Sequence, residues 1–296
     1  MEKVNEVKFF AAYDNLKKNY HCKISNIFMD SHELRRKLSN QACHFHMAEK
    51  SIFLLLPSHG DMQVMFFISA DPASFAIDLP SFMVQARQFQ SIKTSLIGKE
   101  NTCQPILASL EDNNFATIKK LLRMRLGIPD DKIISAMRLL ADNYRDMASF
   151  ADDKDAEEIL SIICEEFDIV GDNIPDIDEI RENIRKKNVT IIRIDNKIAT
   201  LHYFHVENGI AHGYFDITRK EFRGGNGLIF ALNLFEHDYF KSCNIKISRS
   251  YGWRDATKTR LVKSSSKTSS FPDGIVIYNM LWKPNHYNKN TEEMYS

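Results

Sequence analysis

Apolar and polar positions change their period several times along the chain. Val4, Val7, Phe10, Ala11 and Leu16 recur at helical spacing, predicting an opening helix over 3–18. The runs 51–56 and 62–68 are short, β-rich and separated by Pro57 and the turn Ser58-His59-Gly60-Asp61, which is a hairpin signature. Further strands are expected at 92–97, closed by Gly98, and at 115–124, with a short helix over 104–110 between them. Phe75-Ala76-Ile77-Asp78 is read as leading into a turn that carries Pro80 and no glycine.

Gly127-Ile128-Pro129-Asp130-Asp131 marks a boundary, followed by helical spacing through Ile134, Met137 and Leu140, so 127–147 is expected to be a partly helical connection. The second half is more regular. An acidic start, Asp152 to Asp155, precedes a helix with Ile159, Leu160, Ile163 and Phe167 on one face, and a second helix follows Pro175. Three strands come next, 189–194, 198–206 and 210–217, joined by the tight turns Asp195-Asn196-Lys197 and Glu207-Asn208-Gly209. A glycine-rich turn, an amphipathic helix with Leu228, Ala231, Leu232, Phe235 and Tyr239, and a strand over 244–250 continue the order. A polar loop, 264–270, and a disordered tail, 285–296, complete the pattern.

At 296 residues the chain exceeds the usual single-domain size of about 100 to 200, so two domains are expected. Hydrophobic residues at 44% and charged residues at 26% place it among globular proteins rather than disordered ones. Lys plus Arg and Asp plus Glu are both 39, which gives no net field of the kind that draws nucleic acid or an anionic membrane. The longest apolar run, 52–56, is far below the roughly 20 residues needed to span a bilayer, and the amino terminus has no signal-peptide pattern. A cytoplasmic protein with no nucleic-acid or membrane partner is therefore expected. The five cysteines show no C-x-x-C spacing and read as free thiols. Cys43, His44 and His46 have metal-ligand types, but alternation on a strand sends Cys43 to one face and both histidines to the other, so no metal site is expected.

Chemistry is expected at the turn Arg223-Gly224-Gly225-Asn226-Gly227. Glycines opening a helix expose unpaired amides beside the positive end of its dipole, which suits phosphate oxygens. No P-loop string and no G-x-G-x-x-G fingerprint occurs.

Together with the element order over 147–284, this turn resembles the GNAT superfamily of acyl-CoA-dependent N-acyltransferases. The family's pyrophosphate loop reads Q/R-x-x-G-x-G/A; here Gly225 and Gly227 fill the glycine places and Phe222 the first, with Arg223 one residue late. The family's N-x-x-A-x-x-L-Y pattern is matched at Leu261 and loosely at Asp255, with Val262 in place of the tyrosine, so that Tyr251, Tyr278 or water would serve as general acid.

What the resemblance implies is an α/β fold, layered α+β, of two GNAT-like domains, each a mixed, mostly antiparallel sheet flanked by helices. The domains would be 1–126, a degenerate copy of the kind that precedes a catalytic domain in some bacterial tandem proteins, and 148–284, the acyltransferase-like one. It further implies acetyl-CoA or another acyl-CoA as cosubstrate, no metal, and an amine acceptor on a small molecule or peptide, with a homodimer left open. Asp216, His212 and Tyr251 would be catalytic. Ile217, Thr218, Arg223, Gly224, Gly225, Asn226, Gly227 and Leu228 would hold the cosubstrate, and Phe167, Asp168 and Asn173 the acceptor. The alternative is a non-catalytic GNAT-like binding or scaffold protein, suggested by Phe222 and Val262.

Overall fold

The computed structural model describes residues 2–3, 6–20, 24–29, 31–40, 42–58, 60–224, 227–258 and 270–284. In chain order the elements are β1 (Glu2–Lys3), α1 (Glu6–Asn19), β2 (Ile24–Ser25), α2 (Ser31–Asn40), β3 (His44–Met47), β4 (Ser51–Pro57), β5 (Met62–Ser69), α3 (Pro72–Ala86), β6 (Ser91–Lys99), α4 (Glu100–Asp112) and β7 (Phe115–Leu126). After these come α5 (Asp131–Ala141), β8 (Ala148–Phe150), α6 (Ala156–Glu166), α7 (Ile177–Arg185), β9 (Val189–Ile194), β10 (Lys197–Glu207), β11 (Ile210–Thr218), α8 (Leu228–Ser242), β12 (Arg249–Asp255) and β13 (Phe271–Trp282).

The chain divides into two compact units, Met1–Lys120 with Ile275–Ser296, and Leu121–Gly274. This differs from the expected boundaries at 126 and 148. The chain's last strand closes the first unit: from Ile275 to Trp282, β13 pairs antiparallel with β6. In turn β7, beyond Leu121, pairs antiparallel with β12 and so belongs to the second unit. The helix expected in a separate connection, α5, is also part of the second unit, because its Ile134, Met137 and Ala141 bury against Leu228, Ala231 and Leu232 of α8.

Each unit is a mixed, mostly antiparallel sheet with helices on its faces. Strand order is β1-β3-β4-β5-β6-β13 in the first, with β2 beside β5, and β7-β12-β11-β10-β9-β8 in the second. The first unit buries Phe53, Phe67, Phe75 and Phe82 in a ring-on-ring stack between sheet and α3. In the second, α6 and α7 cover one face through Ile159, Ile163, Ile180 and Ile184, while α8 covers the other. Among the described residues no helix is long and apolar enough to cross a membrane.

Three elements depart from the pattern reading. Residues 75–80 lie inside α3, not at a turn: Asp71 caps the helix by accepting from Ser74 N at 2.8 Å, Pro72 opens it, and the buried face of Phe75, Leu79, Phe82 and Ala86 holds Pro80 within it. The strand expected over 244–250 begins only at Arg249. Asn244, at φ 55°, ends α8, and Ile245 N bonds back to Phe240 O at 2.8 Å, so these residues form a helix cap. Of residues 255–262, compared above with the N-x-x-A-x-x-L-Y pattern, Ala256 and Thr257 form a turn. Residues 259–262, most of the expected loop at 264–270 and the tail 285–296 lie outside the described residues.

The strand exchange makes a prediction. Met280 on β13 is fully buried, and Met280→Ala should cost about 2–5 kcal/mol. Hydrogen exchange should then show lost protection in β6 with β9 to β11 unchanged; loss of protection in the second unit instead would contradict this assignment of β13.

Candidate functional site

The second unit's meander turns through left-handed pairs, Asp195 and Asn196 at φ 50° and 63°, then Asn208 and Gly209 at 51° and 73°, as two-residue hairpins require. On β11 the register slips, Tyr203 facing Phe215 but Phe204 facing Gly213, which leaves Tyr214 as a bulge. The same strand pairs in parallel with β12 only from Ile210↔Arg249 to His212↔Tyr251. Beyond that point β11 stays on β10, whereas β12 stays on β7. The two strands therefore form a fork between Gly213–Thr218 and Gly252–Asp255, and the arm formed by β11 leads to the amino end of α8.

At that end Gly224 has φ 152°, while Gly225 and Asn226 lie outside the described residues. Gly227 is the αL cap of α8, and a Cβ there would lie 1.9 Å from the carbonyl oxygen of Leu140 on α5. Close packing of α5 thus requires this glycine independently of any ligand. Arg223 bends back, its Nε donating to Thr218 O and its Nη2 to Glu166 Oε2, both at 2.7 Å. Of the remaining residues expected to hold the cosubstrate, Ile217 and Leu228 are buried in the two cores, and the Thr218 hydroxyl meets that of Thr200 at 3.1 Å. Two surface clefts lie outside the fork, one lined by Glu165, Glu166, Arg219, Lys220 and Glu221 and the other by residues 125–128, Ser248, Arg249 and Phe271.

On the face beneath α8, Thr190, His202 and Asp216 stand in one row across β9, β10 and β11. Buried Glu236 of α8 reaches down to them. Its carboxylate holds His202 Nδ1 at 2.9 and 3.0 Å and also accepts the Thr190 hydroxyl. Burial disfavours the His202 cation, but Glu236, by charge and hydrogen bond, and then Asp216 outweigh it and raise the imidazole above its ordinary value. Asp216 keeps contact with solvent; the protein packed about it and Glu236 push its carboxyl upward, against the opposing pull of His202 and Arg254. His202 and Glu236 were not among the expected site residues. Their signal was present: Glu236 is four residues after Leu232, a charge on an otherwise apolar helical stripe.

His212 and Tyr251 meet at the closed end of the fork, their rings stacked with centroids 5.6 Å apart. Arg123 lies over Tyr251 at 4.5 Å and is anchored to Asp273 at 2.7 Å. Burial, Arg123 and His205 lower the His212 pKa below its ordinary value, with Glu207 opposing. The bulge at Tyr214 reverses the alternation along β11, so His212, paired with His205, lies on the face opposite Asp216, which pairs with His202. The structure therefore brings His212 and Tyr251 together and keeps Asp216 apart from them.

The expected acceptor residues have local partners. Phe167 packs on Phe215 at 4.9 Å, and Asp168 accepts from Val170 N at 2.9 Å in a turn that leads to Asn173. Tyr278, the other candidate acid, belongs to the first unit, where its hydroxyl donates to Glu100 at 2.9 Å. Among the described residues no group of three or more His, Cys, Asp or Glu could hold a metal ion.

No protein-family model and no curated protein matches the sequence. Solved structures do match. A tandem GNAT protein from the clavulanic acid biosynthesis pathway aligns over 96% of this chain and 97% of its own, with a TM-score of 0.55 and 10% identity. The fold is a tandem GNAT fold. A conserved protein of unknown function and probable N-acyltransferase from Enterococcus faecalis V583 aligns over 95% of this chain and 71% of its own at TM-score 0.57 and 9% identity. A GCN5-related N-acetyltransferase from Sphaerobacter thermophilus aligns over 86% of each chain at TM-score 0.50 and 10% identity. At these identities the likeness establishes the GNAT fold, and the chemistry rests on the residues themselves.

The His202–Glu236 pair has a pH consequence. Because the folded pKa of His202 lies above the ordinary 6.5, the pair's contribution to stability is complete below that value and is lost as pH rises through the folded pKa. Glu236→Gln should lower the His202 titration midpoint seen by NMR and remove this component of the pH dependence. An unchanged midpoint would show that Glu236 does not hold the charge.

Proposed function

We propose that the second unit is an acyl-CoA-dependent N-acyltransferase, moving an acetyl or other short acyl group to an amine of a small molecule or peptide. The observation that carries this reading is the β11–β12 fork. Past His212 and Tyr251 the facing edges of the two strands have no partner strand among the described residues, a gap of the kind an extended, amide-bearing ligand fits. The open end of the fork leads to the amino terminus of α8, where first-turn amides and the helix dipole favour a pyrophosphate.

In this reading the cosubstrate supplies the acyl group as a thioester lying in the plane of the sheet. Asp216 then stands on one face and the His212–Tyr251 stack on the other. Asp216, its carboxyl raised above the ordinary value, takes the proton of the attacking ammonium. His202 and Glu236 position it from beneath. Tyr251 is placed to hand a proton to the departing thiolate, and a backbone amide near the Tyr214 bulge to polarise the carbonyl.

A second reading, a GNAT-fold binding or scaffold protein without catalysis, is favoured by Arg223 and Gly227. The arginine is already bonded to Glu166, and the glycine is required by the packing of α5. Calorimetric titration with acetyl-CoA, followed by free-thiol release over a panel of amines, separates the two. The acyltransferase reading expects binding, turnover with at least one amine, and a kcat lowered by about 10²-fold in Asp216→Asn with KM little changed. No heat on titration, or binding without thiol release from any amine, favours the scaffold.

A further inference from the structure

The first unit contains the same fork. There β5 and β6 pair in parallel only from Met62↔Ser91 to Val64↔Lys93, and from that point β5 stays on β4 while β6 stays on β13. The segment between α1 and α2 enters this gap. Ile24 and Ser25, which form β2, pair antiparallel with Ser69 and Ile68 of β5. Asn26 follows at the point where the strands part, 2% exposed.

Its side chain makes contacts to both arms. The Asn26 amide nitrogen donates to Met65 O at 3.2 Å on β5, and on β6 to Thr94 Oγ1 at 3.0 Å and Ser95 O at 3.2 Å. Its amide oxygen accepts from Phe67 N at 2.6 Å, and its backbone N donates to Phe67 O at 3.2 Å. Thus a single buried amide, with the strand before it, meets the polar groups that the separation of β5 and β6 would otherwise leave unpaired. In the second unit the corresponding connection between α6 and α7, residues 167–176, contains no strand.

The helix end beyond this fork is filled as well. Asp71 places its own carboxylate at the amino terminus of α3, accepting from Ser74 N at 2.8 Å, and that hydrogen bond holds its pKa below the ordinary carboxylate value. Pro72, the first residue of the helix, has no N–H to offer. An incoming phosphate would face a fixed negative charge where the first-turn amides are already used.

We infer that residues 24–27 are a built-in plug: the chain's own segment occupies, in the first unit, the place an extended cosubstrate takes in the second, and Asp71 occupies the phosphate seat. The protein therefore has one acyl-CoA site, not two. The plug stands on the contacts of the first unit alone; the location of the single site rests on the acyltransferase reading.

Hydrogen exchange of the full-length protein, with and without saturating acetyl-CoA and in Asn26→Ala, tests both parts. In the wild type, acetyl-CoA should slow exchange in β11 and β12 and leave β5 and β6 unchanged. Asn26→Ala should speed exchange over residues 65–69 and 94–96 by about tenfold or more, with β9 and β10 unaffected. Protection of β5 or β6 by acetyl-CoA in the wild type would overturn the inference, as would unchanged exchange at 65–69 in Asn26→Ala. If acetyl-CoA protects neither unit, the acyltransferase reading fails, and the Asn26→Ala result alone decides the plug. If the alanine variant does not fold, the wild-type comparison, which needs no substitution, decides.

Discussion

Parallel pairing between β11 and β12 lasts only as far as His212 and Tyr251, while β12 is held antiparallel by β7 from Ser250↔Leu126 to Asp255↔Leu121. Antiparallel ladders are slightly stronger per residue than parallel ones, and here the antiparallel contact is also the longer. β12 therefore follows β7, and β11, twisted further by the bulge at Tyr214, follows β10. The fork is the result of two competing neighbours. Its position decides which side chains line its closed end, and its direction decides that the open end meets α8.

Charge in the second unit is arranged around this opening. Thr190, His202 and Asp216 share one face because they are register partners, and Glu236 reaches them because α8 crosses that face. A buried carboxylate beside a half-buried imidazole is costly unless each satisfies the other, and the pair does so at 2.9 Å. On the opposite face Arg123, fixed by Asp273 and lying over Tyr251, keeps the environment of His212 unfavourable to a second positive charge. A single sheet thus presents on one side of the fork a histidine whose charged form is favoured and on the other one whose charged form is disfavoured.

Much of the fold was legible in the chain because periodicity and turn chemistry report local structure. The meander over 189–217 with Asp195-Asn196 and Asn208-Gly209, the hairpin over 51–68 and the helices α6 and α7 all carry their signals within a few residues. What was not legible depends on partners distant in sequence. Pro80 suggested a turn, yet the buried face of α3 against β4 and β5 overrides it. Nothing local in residues 271–282 tells which unit β13 will close. Asp216, His212 and Tyr251 were readable as polar residues near strand ends, but not the bulge at Tyr214 that sends Asp216 to the face opposite the other two. His202 and Glu236 become a pair only when α8 is laid across β10. Arg223 and Gly227 fit a phosphate-loop pattern, while their observed partners, Glu166 and Leu140, come from other elements.

The same fold is used twice, with the gap open among the described residues of one unit and filled by Asn26 in the other. A crystal structure of the full chain grown with acetyl-CoA tests this account most directly. It should show the pantetheine arm between Gly213–Thr218 and Gly252–Asp255, its pyrophosphate at the amino end of α8, and residues 24–27 still seated between β5 and β6. Cosubstrate in the β5–β6 gap, or saturating acetyl-CoA with none in the β11–β12 fork, would contradict it.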